Sequence, residues 1–248
     1  MAMMNVNGIF EIWKDIYNPE SKWIMGITMN SIHRVLRALP SGGVLSIIQS
    51  DLESNGELFS LLMLRKILER KETVFLFLYE PFRVFENNAG NIGLSVRKYL
   101  GKNLHIFDAF GSVYHLPRNE KGVHQLSGYL DDSVFVIKLR EWAVRTLESG
   151  EWRNLWIFTY TSTGVCKLFR KPYLVYRMIW AMRELLLENA ETRGTVLTLS
   201  EPECPEITDI AYLTSDLVIE THVVKGRRIG IVTKGPAEGE VLRMFGGD

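Results

Sequence analysis

The segment Gln49-Ser50-Asp51-Leu52-Glu53-Ser54-Asn55-Gly56-Glu57 gathers acids, hydroxyls and amides around a single glycine. It follows the apolar run Val44-Leu45-Ser46-Ile47-Ile48 and precedes a helical pattern. In an open α/β sheet, ligands bind where strands end in this way. A turn that holds phosphate there needs glycines that bare backbone N–H groups, a lysine for the phosphate charge, and a Ser or Thr hydroxyl for magnesium. This turn has one glycine, no lysine and three carboxylates, Asp51, Glu53 and Glu57. A polyanion brought to it would meet like charge near a low-dielectric wall, at roughly a few kcal/mol per close pair. The spacing Ser54-x-x-Glu57 reads as a capping box, in which Ser54 accepts from the Glu57 N–H and the Glu57 carboxylate returns to the Ser54 N–H. Side chains would then satisfy the groups that otherwise hold an anion at a helix start. The same carboxylates, with Glu80, also permit a cation site.

A second constellation lies in the segment Ser162 to Lys171, where Lys167, Arg170 and Lys171 flank Phe169, a set suited to a nucleic-acid groove. The segment Ser200 to Asp209 opposes that reading with Glu201, Glu203, Glu206 and Asp209. Arg227 and Arg228 read as a solvated strand edge. The histidines, His33, His105, His115, His124 and His222, show no metal-ligand spacing, and no metal is expected. Cys166 and Cys204 are far apart and read as two small buried hydrophobes rather than a disulfide. Ser112 near His115, or Cys166 near a base, needs a tertiary proximity before it means catalysis.

Along the chain, helical and strand patterns alternate. Short helices fit Ile9 to Tyr17, ended by Asn18-Pro19, and Ser31 to Leu39, ended by Pro40 and Gly42-Gly43. Strands fit Val44 to Ile48, Thr73 to Tyr79, Leu104 to Phe110, Asn154 to Tyr160 and Thr195 to Leu199. Between them, helical patterns cover Asn55 to Lys71, Phe82 to Leu100 with a break near Gly90 and Gly93, Asp132 to Glu148, and Lys171 to Asn189. Strands alternating with such helices predict right-handed βαβ units and a mostly parallel sheet. The end differs: Asp216 to Val224, Lys225-Gly226 and Arg227 to Thr233 read as an antiparallel hairpin. Gly111 to Asp131 reads as a looser region.

Composition sets the bounds. With 248 residues, 46% hydrophobic and 23% charged, the chain can bury one large core. Lys plus Arg and Asp plus Glu number 29 each, so no basic surplus favours nucleic acid. Met1 to Ile12 lacks a signal-peptide pattern, and Arg177, Arg183 and Glu184 interrupt the most apolar helix, Tyr173 to Leu187, too heavily for a bilayer span. A cytoplasmic protein without a membrane partner is expected.

In order and spacing, the residues from about Asn30 to Thr233 resemble the KaiC branch of the RecA/RadA superfamily. Ile32 to Ser46 looks like the family's helix and Pro/Gly turn before the P-loop strand. Aligned through Leu58-Phe59-Ser60, the family's P-loop lysine falls on Gly56 and its magnesium-binding Thr on Glu57. Val74 to Pro81 looks like the strand that ends in two acids before a proline; Tyr79 replaces the first and Glu80 keeps the second. Ile106-Phe107-Asp108-Ala109-Phe110 is similar to the family's strand ending in Asp-Ala-Phe. Trp156-Ile157-Phe158-Thr159 matches the Walker B strand, with Thr159 in place of its Asp. Thr161-Ser162-Thr163, Lys171-Pro172, Ser215 to Ile219 and Lys225-Gly226-Arg227-Arg228 follow at family-like spacing.

The resemblance implies an α/β, RecA-like fold: a helical segment over residues 1–29, then one domain over 30–248. It also implies a degenerate nucleotide site, Gln49 to Glu57 with Glu80 and Thr159, in which lysine, magnesium hydroxyl and Walker B Asp are all replaced. Phosphoryl transfer depends on those groups for charge stabilisation. The expectation is a pseudo-ATPase without cofactor that binds a protein partner or itself. The alternative is a divergent nucleotide- or nucleic-acid-binding protein, with Lys167, Phe169, Arg170 and Lys171 at its nucleic-acid loop. Helix Tyr173 to Leu187, apolar on most of its circumference, must be covered on more than one side.

Overall fold

The computed structural model describes residues 30–244 apart from 149, 151, 162, 163 and 190. The helix expected at Ile9 to Tyr17 lies outside these residues. Helix α1 covers 30–38 and turns through Pro40 and Gly42 into strand β1 (Gly43–Gln49), which is buried along its whole length. Such a strand, covered on both faces, reads as a continuous apolar run.

The chain continues through α2 (Gly56–Glu69), β2 (Thr73–Leu78), α3 (Phe82–Asn91), α4 (Val96–Tyr99), β3 (Leu104–Asp108), α5 (Ala109–Val113), β4 (Val123–His124) and α6 (Asp132–Glu148). It then forms β5 (Leu155–Thr161), α7 (Gly164–Leu168), α8 (Pro172–Asn189), β6 (Thr192–Ser200), α9 (Pro205–Thr214), β7 (Leu217–Val224), β8 (Arg227–Lys234) and β9 (Val241–Arg243). The nine strands lie in the order β4-β3-β2-β5-β6-β1-β7-β8-β9. All pairings up to β1–β7 are parallel, and β7–β8 and β8–β9 are antiparallel. The α/β fold with a terminal antiparallel hairpin is therefore as expected, with β9 added to its edge.

Two cores sandwich the sheet. On one face, α1 to α4 pack Ile32, Phe59, Met63, Ile67 and Phe85 against Leu45, Ile47, Leu76 and Phe158. On the other, α6, α8 and α9 pack Phe135, Leu139, Val175, Ile179 and Ile207 against Phe75, Phe77, Ile157 and Leu197. Helix α8 is covered on more than one side, as expected: Val175, Tyr176, Ile179 and Met182 face the sheet, Met178 and Trp180 are half-buried, and Tyr173, Arg177 and Ala181 form one exposed stripe.

The region Gly111 to Asp131 is held by one buried carboxylate. Asp108 accepts from Gly111 N at 2.7 Å, Gln125 Nε2 at 2.9 Å and Arg118 Nε at 3.0 Å. Ser112 donates to the Asp108 carbonyl and accepts from Leu126 N, a structural role that leaves no nucleophile facing His115. Cys166 and Cys204 form a disulfide with their Cα atoms 5.6 Å apart, which corrects their reading as separate hydrophobes. The fold brings α7 against the loop before α9, at a spacing where the bond forms without moving backbone.

Candidate functional site

β1 and β6 are neighbours, yet β1 leads into α2 on one face and β6 into α9 on the other. The crevice outside the carboxyl ends of two such strands is where an α/β sheet binds ligands. Gln49 and Ser200, paired across β1 and β6, stand at its floor.

Gln49 closes this crevice. Its side chain is 2% exposed; Nε2 donates to the Leu52 carbonyl at 2.9 Å and Oε1 accepts from Glu57 N at 3.4 Å. The carboxamide therefore spans the turn and engages an N–H of the first turn of α2, a group that a helix start otherwise offers to an anion. Gly56 lies beneath it. A Cβ there would come within 2.8 Å of Thr221 Oγ1 and 3.4 Å of Gln49 Oε1 and Ile47 Cγ2. The turn has no room for a side chain at Gly56.

The expected capping box does not form. Asn55, in the left-handed region at φ 57°, is the N-cap of α2, and its own side chain makes no capping hydrogen bond. Ser54 sits one residue too early, in a short 3-10 turn (Leu52–Ser54). Fully buried, it donates to the Asp51 carbonyl at 2.6 Å and shares a 2.7 Å hydrogen bond with Thr221.

The turn is fastened to the terminal hairpin rather than to a ligand. Ser50 N and Asp51 N reach the Thr221 carbonyl, Asp51 Oδ2 accepts from Val223 N at 2.8 Å, and Arg228 Nε donates to the Glu53 carbonyl at 2.7 Å. A cation thus stands beside the acidic turn, supplied from β8. Arg228 is correspondingly more than a solvated edge. Leu52 and Glu53 are exposed. With Asp51 directed to Val223, the four-carboxylate cation site is not assembled. Among the described residues no three His, Cys, Asp or Glu side chains come together as a metal site.

Glu80, just beyond β2, remains near α2. Burial, and then the charge of Glu57, pushes its carboxyl up to about 8, and its Oε1 has no hydrogen-bond partner. A carboxyl in that range is mostly neutral at pH 7. The Ser200 hydroxyl is likewise buried without a partner. Thr159 is separated from this group. It is 1% exposed and shares its face of β5 with Leu155 and Ile157, which pack on the α6 and α8 side, away from α2.

The basic segment is also rearranged. Residues Gly164–Leu168 form α7, and Lys167 pairs with Glu203 at 2.8 Å. Phe169 is 6% exposed, with its ring centroid 4.7 Å from that of Phe135 and 6.3 Å from that of Tyr79, so it is a core residue and not a base-stacking platform. Only Arg170 and Lys171 of the set are exposed without such a tie, and the Lys171 backbone N–H is anchored on Asp132. Sequence reasoning missed Ser200, Thr221 and Arg228, whose contacts to the turn span up to 175 residues. No local pattern marks them.

No protein-family model matches the chain, and no curated protein matches it. Solved structures do. An uncharacterized protein from Pyrococcus horikoshii, crystallised in complex with an unknown peptide, is 21% identical, with a TM-score of 0.64 over 84% of this chain and 90% of that one. A KaiC-like protein from Pyrococcus horikoshii OT3 is 18% identical, with a TM-score of 0.55 over 82% of this chain and 85% of that one. Likeness at this level carries the architecture alone, and the chain has a RecA/KaiC-like α/β fold.

Proposed function

We propose that the chain is a non-catalytic interaction protein, a pseudo-ATPase whose nucleotide turn has become part of the scaffold and whose ligand is another polypeptide. The observation that carries this reading is the Gln49 carboxamide bridging Leu52 O and Glu57 N above a Gly56 that has no space for a side chain. In the family resembled, Gly56 is the position of the phosphate-binding lysine. Here a protein amide engages the helix-start N–H, and acidic groups surround it. The placement of Thr159 on the other face of the sheet points the same way. That one structural neighbour was crystallised with a peptide supports a polypeptide ligand.

Calorimetry with Mg-ATP tests the first half of the proposal. No binding at hundreds of micromolar ligand is expected, whereas tight binding with measurable hydrolysis would overturn it. Affinity capture from native extract, followed by binding of the purified partner, tests the second half. The nucleic-acid reading is weakened by the burial of Phe169 and the pairing of Lys167. A single-stranded DNA gel shift at low salt should accordingly show no complex.

A further inference from the structure

Four basic side chains converge where the end of α2 meets α1, on the sheet face opposite α6 and α8. His33 and Arg37 stand four apart on α1, and Lys66 and Arg70 stand four apart at the end of α2, where Arg70 N still bonds to the Lys66 carbonyl. Arg70 Nη2 donates to His33 Nδ1 at 2.8 Å, which joins the two pairs. A guanidinium only donates, so Nδ1 accepts and the His33 proton sits on Nε2 as a further donor. Burial, and then the charges of Arg70, Lys66 and Arg37, hold the imidazole below its usual 6.5, so all three cations lie close to it. His33 and Lys66 are half-buried, while Arg37 and Arg70 are exposed.

The neighbouring acids are taken by other partners. Glu69 pairs with Arg65 at 2.8 Å, Glu72 accepts from Trp156 Nε1 at 2.5 Å, and Glu240 pairs with Arg34. Among the described residues Arg37 and Lys66 make no ion pair, and the Arg70 side chain hydrogen-bonds only to His33. A cation in the last turn of a helix is favoured by the helix dipole, which accounts for each of the three singly. It does not account for their convergence. Lys66 and Arg70, like charges four apart, repel, and Arg37 adds a third charge from the facing helix.

We infer that this patch binds an acidic stretch of the polypeptide ligand proposed above, on which reading the inference rests. Spacing selects that chemistry. On each helix the paired side chains leave from points ~5–6 Å apart. In an extended peptide, alternate side chains leave one face at intervals of ~6.6 Å. Carboxylates at every second residue therefore meet the basic groups one by one, and Arg37 and Arg70 each offer the paired N–H groups that grip a carboxylate. Nucleic acid calls for a longer basic track, and Glu69 and Glu72 interrupt this one.

The test is fluorescence anisotropy of the full chain at low salt with a labelled peptide of alternating Glu and Gly. Saturable binding is expected, and Arg37→Glu with Arg70→Glu should weaken it at least ~10-fold. The same double variant should gain binding to a peptide of alternating Lys and Gly, a reversal that a merely unfolded variant would not show. Its urea midpoint should be no lower than the parent's, because the exchange relieves repulsion. No binding of the Glu peptide to the parent, or equal binding to parent and variant, would overturn the inference. So would tighter binding of oligothymidylate than of the Glu peptide, lost in the same variant, since the patch would then be a nucleic-acid surface. A purified polypeptide partner held equally by parent and variant would sink the patch and leave the polypeptide reading in place. A parent that captures no polypeptide at all would sink that reading itself.

Discussion

Replacing Gly56 by alanine sets a methyl group 2.8 Å from Thr221 Oγ1, a contact no side chain tolerates without movement. Thr221 cannot give way cheaply, because it is fully buried and hydrogen-bonded to Ser54 at 2.7 Å. Overpacking of this kind costs about 1–3 kcal/mol. Against it stands the better helix propensity of alanine, at most ~1 kcal/mol and smaller at the first residue of α2. The net expectation is a loss of about 1–2 kcal/mol, read as a lower urea midpoint at unchanged slope in tryptophan fluorescence. In the Thr221→Ala background the penalty should shrink, with a coupling energy of at least ~0.5 kcal/mol between the two sites. Gly56→Lys, which restores the lysine position, should destabilise further and gain no Mg-ATP binding by calorimetry. If Gly56→Ala proved as stable as the parent, or Gly56→Lys bound nucleotide, the turn would be open and the reasoning from its packing would fail.

Three further outcomes follow from the same coordinates. The Glu80 carboxyl is raised in the folded state to about 8, so the folded chain holds more protons than the unfolded one between pH 4.5 and about 8. Stability from this group is full below pH 4.5 and lost as pH rises through 8, and Glu80→Gln should be the more stable form at pH 9 by roughly a few kcal/mol in urea titration. His105 and His124 stack with centroids 6.0 Å apart, and both are lowered from 6.5, chiefly by burial, with the neighbouring His124 adding to the effect at His105. Their contribution is therefore full above pH 6.5 and lost as pH falls through their lowered folded values; the urea midpoint should drop from pH 7.5 to pH 5, less steeply in His124→Phe. Reducing Cys166–Cys204, which closes a 38-residue separation, should cost roughly 3–4 kcal/mol, measured by melting with and without a dithiol and absent in a Cys166→Ser, Cys204→Ser protein.

The parallel sheet was legible because its strands are continuous apolar runs with helices between them, and the terminal hairpin because Lys225-Gly226 marks its turn. Two elements were too short for any period: β4 has two residues and β9 three. The first half of helix α9 falls in the acidic segment Ser200 to Asp209, where Pro205 at its first position is a usable start signal. At the site, the absence of a lysine was plain from composition, but its replacement was not. The Ser54-x-x-Glu57 spacing matched a capping box, and one residue in the left-handed region, Asn55, moved the helix start past it. Gln49 gave no sign of its role, since a glutamine after a strand has no preferred partner. Phe169 between basic residues suggested a binding surface, yet its ring belongs to a core whose other members, Phe135 and Tyr79, are distant in sequence.

The fastening of the turn to the hairpin also orders events during synthesis. Ser54 meets Thr221 across 167 residues, and Arg228 meets Glu53 across 175. Contacts that close such long loops form late, after the local helices and nearest strand pairs. A chain leaving the ribosome therefore exposes Gln49 to Glu57 until Thr221 and Arg228 have emerged. A truncation that removes β7 and β8 would leave this stretch without the partners that close it.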